Sequence, residues 1–291
     1  MATSRTWLIT GASSGIGLEL AKVAAQHGDH VLAATRSPDK LASLEASNSN
    51  IQAVYLDHNE PLNQIQAAIK SILAVHGTVD IVVNNAAYVQ TGMLEETSPA
   101  ETQRQFLANT LGPLNLYRAL LPHLRDKGSG TLITIGSMAA WYPMPGCNLY
   151  NASKAALRWL GIGLAGEIAK FGIRHCLVEP GFFRTGLLNP KANMAMTAKP
   201  ARLPEYRDLN DTTDSNFVAF DGTQLGNPVK GAEVIYDVVT STGVAAGKSL
   251  PGFLPLGSDA SAEIAKAASE TLMAIEEWKE ISALTDFPTG S

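Results

Sequence analysis

Cysteine is scarce: Cys147 and Cys176 are the two in 291 residues. They share no CxxC or zinc-type spacing, which excludes a disulfide framework and leads us to expect a reduced, cytoplasmic protein. No run of about 18 apolar residues occurs, so no membrane span is expected. The opening MATSRTWLIT reads as the approach to a strand and not as a secretory leader. Clustered positive charge is also missing. The 22 Lys and Arg are scattered among 27 Asp and Glu for a net charge of −5, so nucleic acid is not an expected partner. The histidines 27, 30, 58, 76, 123 and 175 form no metal-ligand spacing, and no metal is expected. Internal repeats at solenoid periods are lacking.

What is present is alternation. β-branched runs at Thr6–Thr10, His30–Thr35, Ile51–Leu56, Ile81–Asn84, Gly130–Ile135 and Ile173–Glu179 read as strands. Between them, Ile16–Gln26, Pro38–Ala46, Leu62–Val75, Pro99–Leu121 and Ala152–Lys170 read as helices. Such alternation predicts an α/β fold: a doubly wound, mostly parallel sheet of about seven strands with helices on both faces. Residues 186–228 are rich in Pro, Asn, Asp, Thr and Met and lack periodicity, which predicts a lid or binding segment. Regular pattern resumes with a helix over Val229–Thr240 and an edge strand within Lys248–Leu256. A final amphipathic helix over Ala262–Ile281 is expected to pack on the body through Trp278 and the tail to Phe287. The chain is expected to be one domain, residues 1–291. It would comprise a cofactor-binding and catalytic core (1–185), the lid (186–228) and a C-terminal extension (229–291).

Between the first strand and first helix stands T-G-A-S-S-G-I-G. Gly11 permits a tight turn, Gly15 close approach of backbone to a pyrophosphate, and Gly17 close helix packing. The free N–H groups of Ser13, Ser14 and Ile16 would then face the phosphates at the helix N-terminus. An NAD site usually places an acid at the end of the second strand, where this chain has Thr35 followed by Arg36. With no carboxylate to repel it, a 2′-phosphate could accept a guanidinium fork, so NADP(H) is the expected cofactor.

The GxxxGxG spacing, the N-N-A-A segment at Asn84, Asn85, Ala86 and Ala87, and Y-N-A-S-K at Tyr150–Lys154 together resemble the classical short-chain dehydrogenases/reductases. Ser137, thirteen residues before Tyr150, and Asn109 in F-L-A-N-T complete the likeness. The resemblance implies a Rossmann-type fold with Asn109, Ser137, Tyr150 and Lys154 as the catalytic set. It also implies an adenine contact at Asp57 with the backbone of His58 beside it. Asn84, Asn85 and Ala86 would lie near the ribose, and Pro180, Gly181, Phe183 and Thr185 around the carboxamide. His58 and Ala87 depart from the family's usual apolar residue and glycine. In the implied chemistry Tyr150 exchanges a proton with the carbonyl oxygen, Ser137 holds that oxygen, and Lys154 steadies the phenolate and the ribose. Asn109 would hold a water through its backbone carbonyl.

Met138, Trp141, Tyr142 and Cys147, in the loop after the fifth strand, are the candidate substrate-pocket residues. Trp141 and Tyr142 could equally pack beneath the lid. These readings converge on reduction of a moderately large hydrophobic ketone, or oxidation of its alcohol, by a homodimer or homotetramer. Two other classes remain open on the residues: a cofactor-assisted isomerase or dehydratase, and an NADP(H)-binding sensor.

Overall fold

The computed structural model describes residues 4–190 and 192–287; Lys191, within the expected lid, lies outside them. The chain begins β1 (Thr6–Thr10), α1 (Gly15–Gln26), β2 (His30–Thr35), α2 (Ala42–Ser47), β3 (Ile51–Tyr55), α3 (Leu62–His76) and β4 (Ile81–Asn84). A short β5 (Val89–Thr91) precedes α4 (Pro99–Phe106), α5 (Gly112–Lys127), β6 (Gly130–Ile135), α6 (Asn148–Ile168) and β7 (Ile173–Pro180). Then come β8 (Met194–Met196), α7 (Arg207–Phe220), α8 (Pro228–Thr240), β9 (Phe253–Leu256) and α9 (Ser258–Ser282).

Seven strands form one sheet in the order β3-β2-β1-β4-β6-β7-β9, every neighbouring pair parallel. This is a Rossmann-type doubly wound sheet. The winding reverses between β1 and β4, where a crevice opens beyond the strands' carboxyl ends. Runs such as WLI in β1 and IVV in β4 are buried because helices cover both faces. On one face Trp7, Ile9 and Val31 pack with Leu20 of α1 and Ile235 of α8. On the other, Leu8, Leu32 and Val82 pack with Ile69 of α3 and Leu120 of α5. Burial of each such side chain contributes about 1.5–3 kcal/mol.

Three expectations are corrected. The predicted Pro99–Leu121 helix is interrupted: a π-helical turn, Leu107–Leu111, separates α4 from α5, which runs on to Lys127. The predicted lid is not irregular throughout. It contains β8, which pairs with β5 (Val89 opposite Met194), and the helix α7. Helix α7 escaped the periodicity test because Asn210 and Phe217 are its buried residues, too few for an apolar stripe. Finally, Trp278 and Phe287 do not pack on the body; they are 57% and 89% exposed. Helix α9 is rooted through Ala260 and Ile264, against Met138, Trp141 and Phe253. The same stripe continues through Leu272 and Ile275 into solvent, because the helix outruns the surface beneath it.

Candidate active site

A cavity of about 710 Å³ occupies the crevice. Its wall at one end is the β1–α1 turn, with Gly11, Ser13, Ser14, Gly15 and Ile16. Gly11 and Gly15 adopt φ of +64° and +57°, the left-handed region that a side chain disfavours. A Cβ on Gly11 would come within 2.9 Å of Ala86 Cα. Thr10 Oγ1 accepts from the backbone N–H groups of Asn85 and Ala86, both at 3.0 Å, and Asn85 Nδ2 donates to Thr10 O at 2.9 Å. The N-N-A-A segment therefore braces the glycine turn. Gly17 lies behind the turn, where a Cβ would run into the Asn85 amide and Gly11 O. Asn84 is also structural: its side chain donates to Pro113 O at 3.0 Å and ties β4 to α5.

Beyond the end of β2 the wall is Thr35, Arg36, Ser37 and Lys40. Lys40, four residues after Arg36, supplies a second cation that sequence reasoning missed. His58 lines the cavity, with Nε2 2.9 Å from Ala108 O. Burial lowers its proton affinity against the pull of Asp57, and Arg36 and Lys154 lower it further. Asp57 itself accepts from Asn59 N–H at 3.0 Å, closing a turn after β3. These residues fit a dinucleotide: a glycine-rich turn at a helix N-terminus, then the cations Arg36 and Lys40 on a stretch of wall that Asp39, between them in sequence, does not join.

At the centre stand Ser137, Tyr150 and Lys154, all on the cavity wall. Ser137 ends the segment after β6, and its Oγ accepts from Ala139 N–H at 3.1 Å. Tyr150 and Lys154 are one turn apart on α6, with the Lys154 ammonium 5.9 Å from the Tyr150 ring centroid. Burial pushes the Tyr150 phenol up to about 12, against a hydrogen bond from Ser137 that pulls it down. Burial likewise lowers the Lys154 ammonium to about 8, with Glu179 raising it. Lys154 Nζ donates to Ile135 O at 2.8 Å, which fixes its reach. Asn109 sits in the π-helical turn. Its side chain braces the chain around it: Nδ2 donates to Tyr88 O at 3.0 Å and to Ser153 Oγ at 3.1 Å, while Oδ1 accepts from Tyr88 N–H. A π turn displaces one carbonyl from the regular ladder, and such turns recur at functional sites.

The far side of the cavity carries Pro180, Gly181, Phe183 and Thr185. Gly181 is obligatory, since a Cβ there would strike the Asp259 carboxylate; Asp259 Oδ2 accepts from Phe182 N–H at 2.7 Å. The root of α9 thus pins this loop, a contact that motif spacing could not reveal. The Phe183 ring packs on Gly226 and Gly231 and leaves backbone to the cavity.

The remaining volume is largely apolar, lined by Val89, Met144, Leu187, Leu188, Met194 and Phe217. Met138, Tyr142 and Cys147 join this wall. Burial raises the Cys147 thiol to about 12, so a thiolate nucleophile is not formed. Trp141 points elsewhere: its indole N–H donates to Glu179 Oε2 at 2.5 Å and its ring lies 4.3 Å from the Arg158 guanidinium.

Residues 5–195 match the family model described as short chain dehydrogenase. Over 281 residues the chain is 30% identical to "Oxidoreductase BOA17" of Botryotinia fuckeliana, covering 96% of this chain and 98% of that protein. A solved short-chain dehydrogenase from Streptomyces avermitilis superimposes with a TM-score of 0.86 at 34% identity, covering 98% of this chain and all of that one. A 3-ketoacyl-(acyl-carrier-protein) reductase from Brucella melitensis, solved with NADH, matches with a TM-score of 0.70 at 25% identity over 91% of this chain and 100% of that one. With the family pattern spread over that length and the sheet order it requires, this chain belongs to the short-chain dehydrogenase family of oxidoreductases.

Proposed function

We propose that this oxidoreductase is a carbonyl reductase that uses NADPH to reduce a moderately large, hydrophobic ketone. The observation that carries the reading is the continuity of one cavity. It joins the Arg36/Lys40 end, the Ser137–Tyr150–Lys154 centre and an apolar arm. The glycine turn, Arg36 and Lys40 would hold the dinucleotide. Tyr150, Lys154 and the Pro180–Thr185 loop would flank its nicotinamide end. When bound, that group supplies the hydride.

The side chains then have one task, handling the substrate oxygen. Ser137 donates to it and stabilises the charge that develops there. Tyr150 delivers the proton. A phenol raised to about 12 is protonated at neutral pH, the form reduction needs. The reverse reaction needs the phenolate. Bringing the phenol from about 12 to near 7 would take about 7 kcal/mol, and the Lys154 ammonium is the positive charge at hand. Deprotonated Tyr150 regains its proton along Lys154 and the π-helical turn at Asn109, towards solvent.

The test is NADPH consumption over a panel of carbonyl compounds, with NADH alongside. Tyr150→Phe is expected to lose at least about a hundredfold in kcat. Turnover within about tenfold of the unsubstituted enzyme would refute the role given to Tyr150.

A further inference from the structure

Beyond the four catalytic positions, helix α6 carries a third polar group in the same row. Tyr150, Lys154 and Arg158 succeed one another at four-residue intervals and so share a face. Opposite them, near the end of β7, lies Glu179, which is fully buried. Its Oε2 accepts the Trp141 indole N–H at 2.5 Å. Its Oε1 faces Arg158 Nη1 at 3.9 Å, and among the described residues neither of those two atoms has a hydrogen-bond partner. Arg158 is held by stacking on Trp141 at 4.3 Å and on Phe253 at 5.5 Å. Gly136 makes room for the carboxylate, since a Cβ there would approach Glu179 Cγ to 2.9 Å. A buried carboxylate is retained only beside charges or donors that offset its lost hydration.

We propose that Glu179 is a positioning residue for the reaction: its carboxylate, held by Trp141 and Arg158, keeps Lys154 an ammonium at the catalytic centre. The inference rests on the carbonyl-reductase reading for its consequence, and on the buried cluster for its physics. Lys154 is almost fully buried, and burial alone favours its neutral form. Glu179 lies against Gly136, the residue next to the Ile135 carbonyl that holds Lys154 Nζ, so its carboxylate is the negative charge placed to oppose that loss. Burial raises Glu179 in turn, and Trp141, Arg158 and Lys154 pull it back. The other groups near Lys154 cannot substitute. Tyr150, on its own helix, is neutral at rest. His58, in the turn after β3, is neutral through burial and has Asp57 beside it. From α9, Asp259 and Glu263 act on Tyr142. A neutral Lys154 could no longer stabilise the Tyr150 phenolate, so loss of the Glu179 charge reaches the reaction without Glu179 touching a reacting atom.

The test reads Lys154 directly. The full-length, cofactor-free protein with ¹³C/¹⁵N-labelled lysine is titrated by NMR, and the Lys154 signal is assigned by its loss in Lys154→Met. Glu179→Gln keeps the volume and an acceptor for Trp141 while removing the charge. It is expected to lower the Lys154 midpoint by at least about one pH unit, since one charge within about 12 Å at an effective dielectric near 20 shifts a midpoint by that much or more. Glu179→Asp draws the carboxylate back and predicts a smaller fall in the same direction; it serves as the reading if Glu179→Gln does not fold. Glu263→Gln, which removes an acid facing Tyr142, should leave the midpoint in place. In alcohol oxidation with NADP⁺, the high-pH limb of kcat should move down with the NMR midpoint while KM values stay within about twofold. A Lys154 midpoint in Glu179→Gln within about 0.3 unit of the unsubstituted protein overturns the proposal. Failure of every form to turn over any carbonyl or alcohol would sink the catalytic reading but leave the NMR result to judge the coupling.

Discussion

Replacing Arg36 by Ala tests the proposed recognition of a 2′-phosphate apart from recognition of the rest of the dinucleotide. Arg36 lies on the cavity wall just past β2, with Lys40 on the turn that follows. A hydrogen bond to a charged group contributes about 1.5–3 kcal/mol. Arg36 is exposed, so screening places its contribution at the lower end, about 1.5–2 kcal/mol. That corresponds to a rise in the NADPH KM of about 10- to 30-fold. NADH lacks the phosphate, and its KM should change by less than about twofold. Lys40→Ala should act in the same direction but more weakly, because an ammonium on a flexible stem offers no planar fork. The assay is steady-state reduction of one good ketone with each cofactor, at fixed ionic strength. Equal KM increases for NADPH and NADH, or an NADPH effect below about threefold, would refute the assignment of this end of the cavity to a 2′-phosphate.

Two further outcomes follow from the lid and the C-terminal helix. Buried Glu96 accepts from Asn210 Nδ2 at 2.9 and 3.0 Å and from Leu203 N–H at 2.8 Å, which latches α7 to the segment after β5. Glu96→Ala strands those donors at about 1–3 kcal/mol each. Limited proteolysis should then cut within 186–228 at least about tenfold faster, and the carbonyl KM should rise more than the cofactor KM; unchanged cleavage would contradict the latch. Every residue from 269 to 287 is exposed, so truncation after Ala268 should shift Tm by less than about 2 °C, and a fall beyond about 5 °C would show that the helix end supports the body.

Much of this architecture is legible from residues alone, because local and global preferences agree along most of the chain. Short β-branched runs buried on both faces, such as DIVVN, have few alternatives to a parallel central strand. The glycine turn is legible because positive φ at Gly11 and Gly15 demands glycine. What stayed hidden depends on contacts between distant segments. The π turn at Leu107–Leu111 leaves no compositional mark. Helix α7 is held by the Glu96 latch and Arg202–Asp214 instead of an apolar stripe. Asp259 meets the Phe182 N–H across 77 residues, and Trp141 turns to Glu179 because a buried carboxylate needs its donor. Trp278 shows the opposite failure. A perfect helical stripe promised packing, but only the first turns of α9 have a surface beneath them.

The most direct test of the whole account follows the transferred hydrogen. The enzyme is given NADPH deuterated at C4 of the nicotinamide and a hydrophobic ketone from the panel, and the product alcohol is examined by mass spectrometry and NMR. The account predicts one deuterium on the carbinol carbon when the deuterium is on the transferred face, none when it is on the other, and loss of product formation in Tyr150→Phe. A product without deuterium from either labelled face would contradict hydride delivery in this cavity.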